Sequence, residues 1–369
     1  MTPIASRSLR IAMAATSDPI LFISYPMLPV SDASCGGAEQ MLWVLERELA
    51  SRGASTVVAA CAGSSIAGEL FATSRAPAEP DAFDFRAAEH GRCVHNLIRQ
   101  RRLSLVHDKS GFWWGNSGGC AAPVLATLHL PRTFYSERLF RSIPPNVFFN
   151  CVSRSQAREF IDLPRFAGVV PNGIILERFT FTRRKQDYLL WLGRICPEKA
   201  PHLAIDAAIR AGMQLVLAGQ VYPFRWHEQY FEREIKPRLE RAGSKVAYVE
   251  RPSFAEKVEL LRHARAMLLS TQAPETSSLV GMEAAACGTP VIAFPSGAIP
   301  EIVRHGVTGL LVEDEQEMAH AVADIDGLWP QDARDLAEQE FSSRKMADGY
   351  ERIYAEVVLE AEQCRKLAA

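Results

Sequence analysis

The chain has 369 residues, 48% of them apolar and 23% charged, an ordinary globular composition with more residues than one hydrophobic core usually serves, so two domains are expected. Its formal net charge of −2 excludes a broad polyanion-coating surface, because binding to nucleic acid or acidic lipid draws on clustered Lys and Arg. No stretch approaches the roughly 18 to 20 uninterrupted apolar residues of a membrane span, and the apolar segment after Arg7 and Arg10 is broken by Thr16, Ser17, Asp18 and Pro19, so no signal peptide is evident and a cytoplasmic protein is expected.

Along the chain, short apolar runs alternate with helix-period segments, the sign of parallel strands joined by crossover helices, and the fold class is α/β. In the first half, strands are expected at Ile20–Tyr25, Ser55–Ala60, Ser104–His107, Val124–Leu128, Val147–Cys151 and Gly168–Val170, with Arg10–Ala15 as an alternative first strand. Helices fit Gly37–Arg52, His90–Arg101 and Ser153–Phe160. A polar stretch with three consecutive basic residues, Thr180–Asp187, then marks a linker. Alternation restarts with strands at Tyr188–Leu192, Gln214–Ala218, Val246–Val249, Ala266–Ser270 and Val291–Phe294 and helices at Pro197–Ala211, Ser278–Cys287 and Ser343–Cys364. The expected division is 1–174, a linker 175–187, 188–345, and a C-terminal helix 346–369 returning to the first domain. Eight cysteines, Cys35, Cys61, Cys93, Cys120, Cys151, Cys196, Cys287 and Cys364, lack C-x-x-C or zinc-like spacing and read as buried thiols of a reducing compartment.

In an open parallel sheet, ligands sit beyond the carboxyl ends of the strands, and four strand-to-helix turns stand out. Gly36-Gly37-Ala38-Glu39 precedes a long helix; the glycines either serve a positive-φ loop or let the backbone approach an anion at the helix start. After the strand at Tyr188, Arg194 and Lys199 flank a turn, either as solvated cations or as a fork and a point charge suited to a diphosphate. Glu275 lies in a loop, and Glu283 lies inside an apolar helix opened by the amides of Ser278, Leu279 and Val280, which can receive phosphate oxygens. A buried Glu283 needs hydrogen-bond donors, which a ribose diol provides; otherwise Ser277 or Ser278 is a plain N-cap and Glu283 a salt-bridged residue. His129, in Thr127-Leu128-His129-Leu130-Pro131, ends another strand, with Asp108 at a neighbouring strand end.

These turns resemble the retaining glycosyltransferase family 4. The resemblance rests on Glu275 and Glu283 with seven residues between, on Ala286-Cys287-Gly288-Thr289-Pro290-Val291-Ile292-Ala293, and on Glu301-Ile302-Val303 followed by Gly306 and Gly309. Gly193-Arg194 with Lys199, Val170-Pro171-Asn172-Gly173 and Gly36-Gly37-Ala38-Glu39 support it. It implies the GT-B fold, two Rossmann-like doubly wound domains facing across a cleft, the first binding an acceptor and the second a nucleotide-sugar donor. By the same resemblance Arg194 and Lys199 bind the donor diphosphate, the Ser278, Leu279 and Val280 amides complete its cradle, Glu283 holds the ribose, Glu275 contacts the donor sugar, Gly36 and Gly37 lie beside the phosphates, and His129 contacts the transferred sugar. The reaction implied retains anomeric configuration, uses a UDP-sugar by family frequency, and needs no metal or other cofactor.

Many family members have a glycine where this chain has Ser278, which alters the cradle. Asp324-Ile325-Asp326 matches the D-x-D of a different glycosyltransferase fold and reads as chance. Trp113, Trp114 and Arg132, near first-domain strand ends, are candidates either for an acceptor pocket or for the core or rim. The expected partners are a nucleotide sugar and a small-molecule or glycan-precursor acceptor, with no nucleic acid and no membrane insertion. Rival readings are a nucleotide-sugar epimerase or hydrolase, a catalytically silent nucleotide-sugar binder, and a dinucleotide oxidoreductase, the last weakened by the missing G-x-G-x-x-G.

Overall fold

The structure, a computed structural model, describes residues 18–34, 36–74 and 83–368; the alternative strand Arg10–Ala15 and Cys35 lie outside them. The chain forms two compact units, one from Met1–Gly173 with Ser343–Ala369 and one from Ile174–Ser342.

The first unit is built on a seven-stranded sheet of order β3-β2-β1-β4-β5-β6-β7, comprising β1 (Ile20–Ile23), β2 (Thr56–Cys61), β3 (Glu69–Ser74), β4 (Leu105–Asp108), β5 (Val124–Leu128), β6 (Val147–Cys151) and β7 (Phe166–Val169). Every neighbouring pair runs parallel. Helices cover both faces of such a sheet, so its central strands read as continuous apolar runs: Ile20-Leu21-Phe22-Ile23 is buried throughout. The second unit carries a six-stranded parallel sheet of order β10-β9-β8-β11-β12-β13, from β8 (Tyr188–Arg194), β9 (Gln214–Gln220), β10 (Val246–Glu250), β11 (Ala266–Leu269), β12 (Val291–Ala293) and β13 (Gly309–Leu311). The expected α/β class with two doubly wound sheets is therefore found.

Two strands were not anticipated. β3 lies at the edge of its sheet with a mixed burial pattern, and β13 is three residues long; neither offers the continuous apolar run that marks a central strand. The expected helix Pro197–Ala211 is also interrupted. Residues Pro197–Lys199 form a 3-10 turn, Ala200 adopts φ 45° and ψ 49°, and the α-helix runs from Pro201 to Arg210. A proline disfavours the α region for the residue before it, and here that residue takes the left-handed basin.

The segment expected as a linker is built into the second unit. Phe179 is 5% exposed within its core, and Lys185 Nζ donates to the carbonyls of Arg262 (2.8 Å) and Cys287 (3.1 Å) and to Thr289 Oγ1 (2.9 Å). Lys185 thus ties together the C-terminal ends of the helices Phe254–His263 and Leu279–Ala286, where unsatisfied carbonyls attract a cation. Burial lowers its ammonium pKa to about 8.

The helix Ser343–Ala368 belongs to the first unit, where Arg52 on the helix Gly37–Ser51 side pairs with Asp348 (2.7 Å) and Glu351 (2.9 Å). Its Tyr350 and Tyr354 are fully buried. Tyr354 Oη bonds His107 Nδ1 at 2.6 Å, His107 Nε2 bonds Thr127 Oγ1 at 2.6 Å, and Thr127 donates to Asn150 Oδ1 at 2.7 Å. This network joins the carboxyl ends of β4, β5 and β6 to the last helix of the chain.

His90 supplies a pH test of the first unit. It is 3% exposed, its Nδ1 bonds Thr73 Oγ1 at 2.7 Å, and desolvation lowers its pKa to about 4. Between pH 6.5 and about 4 the unfolded chain takes up a proton here that the folded chain refuses, so stability is present above that window and lost as pH falls through it. Across the window the wild type should lose on the order of 3 kcal/mol more than His90→Asn, measured as the pH dependence of the first unit's unfolding transition. A constant difference between the two proteins at every pH would remove His90 from the account.

Candidate functional site

A doubly wound sheet places its ligand where the strand order reverses. In the second unit that point lies between β8 and β11, which are hydrogen-bonded neighbours. The loop after β8 carries Arg194 and Lys199, and the loop after β11 carries Glu275. Lys199 Nζ forms an ion pair with Glu275 Oε1, so the structure brings these two expected residues together. The same Oε1 accepts from Thr271 Oγ1 at 2.9 Å, and the Glu275 side chain is only 10% exposed. The Glu198 carbonyl accepts the amides of Gln272 (3.0 Å) and Ala273 (3.4 Å), stitching the two loops together.

Glu275 is held from behind by a turn that the sequence did not flag. Gly297 has φ +60°, and a Cβ there would fall on the backbone of Glu275, while Ala298 donates its amide to the Glu275 carbonyl at 2.7 Å. Only glycine meets both conditions. The signal available was Pro295-Ser296-Gly297 after a strand, which is ordinary turn chemistry.

The helix Leu279–Ala286 starts beside this pair. Ser278 is its N-cap, accepting the Gly281 amide at 3.3 Å, while the first-turn amides, including those of Leu279 and Val280, have no acceptor within the helix. Glu283 is 4% exposed. One of its oxygens accepts from Lys257 Nζ at 2.6 Å; the other, Oε2, is buried with no hydrogen-bond partner among the described residues, as is Ser277 Oγ. The plain reading of Ser278 as a cap and Glu283 as a salt-bridged residue thus accounts for one carboxylate oxygen and leaves the other needing a donor. Lys257, on the helix Phe254–His263, escaped the sequence reading because nothing in Ala255-Glu256-Lys257-Val258 distinguishes it from a surface lysine. Arg194 ends β8, is exposed, and lies over the Tyr222 ring at 5.5 Å.

In the first unit the order reverses between β1 and β4. Gly36 is the N-cap of the helix Gly37–Ser51 with φ −80°, and neither Gly36 nor Gly37 has a positive φ. The loop reading that required one is set aside. What Gly36 provides is room: a Cβ there would overlap the Glu39 carboxylate, which folds back over it. Glu39 is 4% exposed, and desolvation raises its pKa. His129 follows β5 and is half-buried, its amide donating to Tyr135 Oη at 3.0 Å. Burial, aided by the nearby Lys109 charge, pushes its imidazole well below the ordinary histidine pKa, so the ring is neutral at neutral pH.

Two acceptor candidates, Trp113 and Trp114, lie in the core of the first unit, and the third, Arg132, is a partly exposed, salt-bridged residue. Trp113 and Trp114 are 5% and 0% exposed; Trp114 packs edge-on against Phe149 at 4.9 Å and donates Nε1–H to the Gly111 carbonyl at 3.0 Å. Asp108 shapes that turn, accepting the amides of Ser110 (2.9 Å) and Trp114 (2.8 Å). Arg132 pairs with Glu137 (3.2 Å) and Asp162 (3.0 Å) and lies over the Phe140 ring at 4.1 Å. In Asp324-Ile325-Asp326, Asp326 is taken by Arg265 at 2.7 Å, a structural use that fits the reading of this motif as chance. Cys61, Cys151, Cys196 and Cys287 are buried free thiols, Cys93 and Cys120 are half-buried, and Cys364 is exposed, contrary to expectation, because it lies in the last turns of the C-terminal helix.

Residues 186–325 match the family model described as Glycosyl transferases group 1. A D-inositol 3-phosphate glycosyltransferase of Geodermatophilus obscurus is 34% identical over 197 residues, 46% of this chain and 42% of that protein. A lipopolysaccharide 1,2-N-acetylglucosaminetransferase of Salmonella typhimurium is 26% identical over 176 residues, 42% of this chain and 46% of its own length. The chain thus spans less than half of either relative in the matched region. Among solved structures, AviGT4, a glycosyltransferase involved in avilamycin A biosynthesis, superposes with TM-score 0.70 at 22% identity, covering 92% of this chain and 98% of that one. Anabaena HepE in complex with UDP-glucose gives 0.71 at 18% identity, covering 93% and 99%. The fold of the chain is that of these glycosyltransferase structures.

The Lys257–Glu283 pair gives the site a stability test. Lys257→Met leaves a buried carboxylate without its cation and should cost about 3 kcal/mol. Adding Glu283→Gln removes the orphaned charge and should recover most of that loss in a double-mutant cycle read by chemical denaturation. Equal losses in the single and double variants would mean that the pair does not hold these helices together.

Proposed function

We propose that the chain is a retaining glycosyltransferase that moves a sugar from a UDP-sugar to a small-molecule or glycan-precursor acceptor, with the donor bound by the second unit. The observation that carries this reading is the buried Glu283 oxygen lacking a donor, on a helix whose free amides open beside the Lys199–Glu275 pair. A ribose diol supplies the missing donor, and the diphosphate meets the Leu279 and Val280 amides, Arg194 and Lys199. Without ligand, Glu275 neutralises Lys199. With a diphosphate bound, Lys199 shares its charge with the leaving group, and Glu275 gains acceptor capacity for the hydroxyls of the donor sugar.

In this mechanism the leaving-group charge develops in a site already lined by fixed cations and helix-terminal amides, which need no reorganisation at the moment of reaction. No metal is required for that stabilisation. His129, Gly36 and Gly37 are proposed for the roles that the resemblance gives them. The choice of uridine is supported by the UDP-glucose complex of HepE. Trp113 and Trp114 serve the core, and Arg132 stays a candidate for the acceptor. Among the described residues no helix is long and apolar enough to cross a membrane.

The test is a thermal-shift screen with UDP, GDP, ADP and their sugars on the wild type, Glu283→Ala and Arg194→Ala, followed by product analysis. UDP at about 100 times its dissociation constant should stabilise the wild type by about 2.7 kcal/mol, and both variants should lose the shift. With the preferred donor and an acceptor panel, the wild type should release UDP and a glycoside of retained configuration. Absence of a shift with every nucleotide at millimolar concentration would overturn the donor site. Binding without transfer to any acceptor would leave a silent nucleotide-sugar binder instead.

A further inference from the structure

Beside the proposed donor loop, and unused by it, lies a second cluster. Cys196 and Glu198 belong to the turn after β8, and His227 to the helix Arg225–Tyr230 after β9. The Cys196 thiol, a Glu198 carboxylate oxygen and a His227 ring nitrogen all lie within 4.8 Å of one another. Cys196 and His227 are each 0% exposed, and Glu198 is half-buried. Among the described residues neither nitrogen of His227 has a hydrogen-bond partner, nor does the buried Glu198 Oε2.

A buried imidazole with both nitrogens unanswered is costly to maintain; the rings of Trp226 at 3.9 Å, Phe224 at 5.2 Å and Tyr222 at 6.3 Å surround it, and neither nitrogen is hydrogen-bonded. We infer that Cys196, Glu198 and His227 form a binding site for a zinc-class divalent cation, with three protein ligands and a fourth position open to water. Thiolate, imidazole and carboxylate together suit Zn²⁺ rather than Mg²⁺ or Ca²⁺, which take oxygen ligands. Tetrahedral ligation at about 2.0–2.3 Å sets the ligand atoms roughly 3.5 Å apart, so the present cluster has to contract by about 1 Å, within the reach of side-chain rotation. On binding, the Cys196 thiol, now donating to the Arg194 carbonyl at 3.6 Å, gives its proton to solvent and ligates as thiolate. Arg194 opposes a cation here but is exposed and therefore screened by water. The ion would staple the β8 loop to the β9 loop without serving as a reagent in sugar transfer, so the site stands whether or not the transferase reading does.

The experiment titrates the tag-free full chain with Zn²⁺ and with Co²⁺. Expected are one bound equivalent and a near-ultraviolet cobalt–thiolate charge-transfer band. Cys196→Ala should abolish the band, and Glu198→Gln and His227→Asn should weaken binding at least about tenfold. Cys364→Ser, which removes the one exposed thiol among the described residues, should leave both readouts unchanged. No binding by the wild type, a band that survives Cys196→Ala, or one that disappears with Cys364→Ser would each overturn the site. Circular dichroism checks that every variant is folded, and Glu198→Gln, the least buried position, keeps the test decisive should either buried-site variant unfold.

Discussion

A carboxylate taken out of water must be met by a cation or by several donors, and much of this chain is arranged around that requirement. Glu46 is fully buried and accepts from Thr56 Oγ1 (2.7 Å) and from the amides of Ala67 (2.9 Å) and Gly68 (2.7 Å), so one side chain shapes the approach to β3. Asp108 does the same for the turn after β4. In the second unit the requirement is met by lysines brought from other elements, Lys199 for Glu275 and Lys257 for Glu283. The scaffolding carboxylates are fully answered, whereas Glu283 keeps one oxygen unanswered. That difference sets Glu283 apart from the carboxylates that build the fold.

The strands were readable because a parallel sheet covered on both faces must be continuously apolar; β5 and β6 fall where Val124-Leu125-Ala126-Thr127-Leu128 and Val147-Phe148-Phe149-Asn150-Cys151 place them. Edge and very short strands lack that pressure, which is why β3 and β13 were missed. The pairing of Lys199 with Glu275 was foreshadowed by their places in two strand-end turns, since the topology makes those ends neighbours. Lys257, Thr271 and Gly297 were hidden, because each acts through a contact across the sequence that no local pattern encodes. Trp113 and Trp114 misled for the opposite reason: aromatic side chains near a strand end suit a pocket rim as well as a core, and only burial and partners distinguish the two.

The basic run before β8 is instructive in the same way. Charge and polarity suggested a tether, but a lysine stem can lie along apolar surface while its head meets helix carbonyls. Lys185 does this with the ends of two helices, one carrying Lys257 and the other Glu283. Its placement therefore supports the ion pair that orients the candidate ribose-binding carboxylate. Ala200 complements it from the other loop: a left-handed alanine costs about 1–2 kcal/mol, a strain retained in the turn that sets the direction of Lys199.

The chain ordering of the first unit bears on synthesis. Its sheet is encoded entirely before Gly173, yet Tyr350 and Tyr354, which close the polar network on β4, β5 and β6, lie almost at the end of the chain. On the ribosome the first unit emerges with His107, Thr127 and Asn150 uncovered and waits through the synthesis of the whole intervening unit, which is contiguous and completes itself. The polar network of the first unit can therefore close only after the second unit has been synthesised. Until then His107, Thr127 and Asn150 lack the tyrosine hydroxyls that answer them in the folded unit.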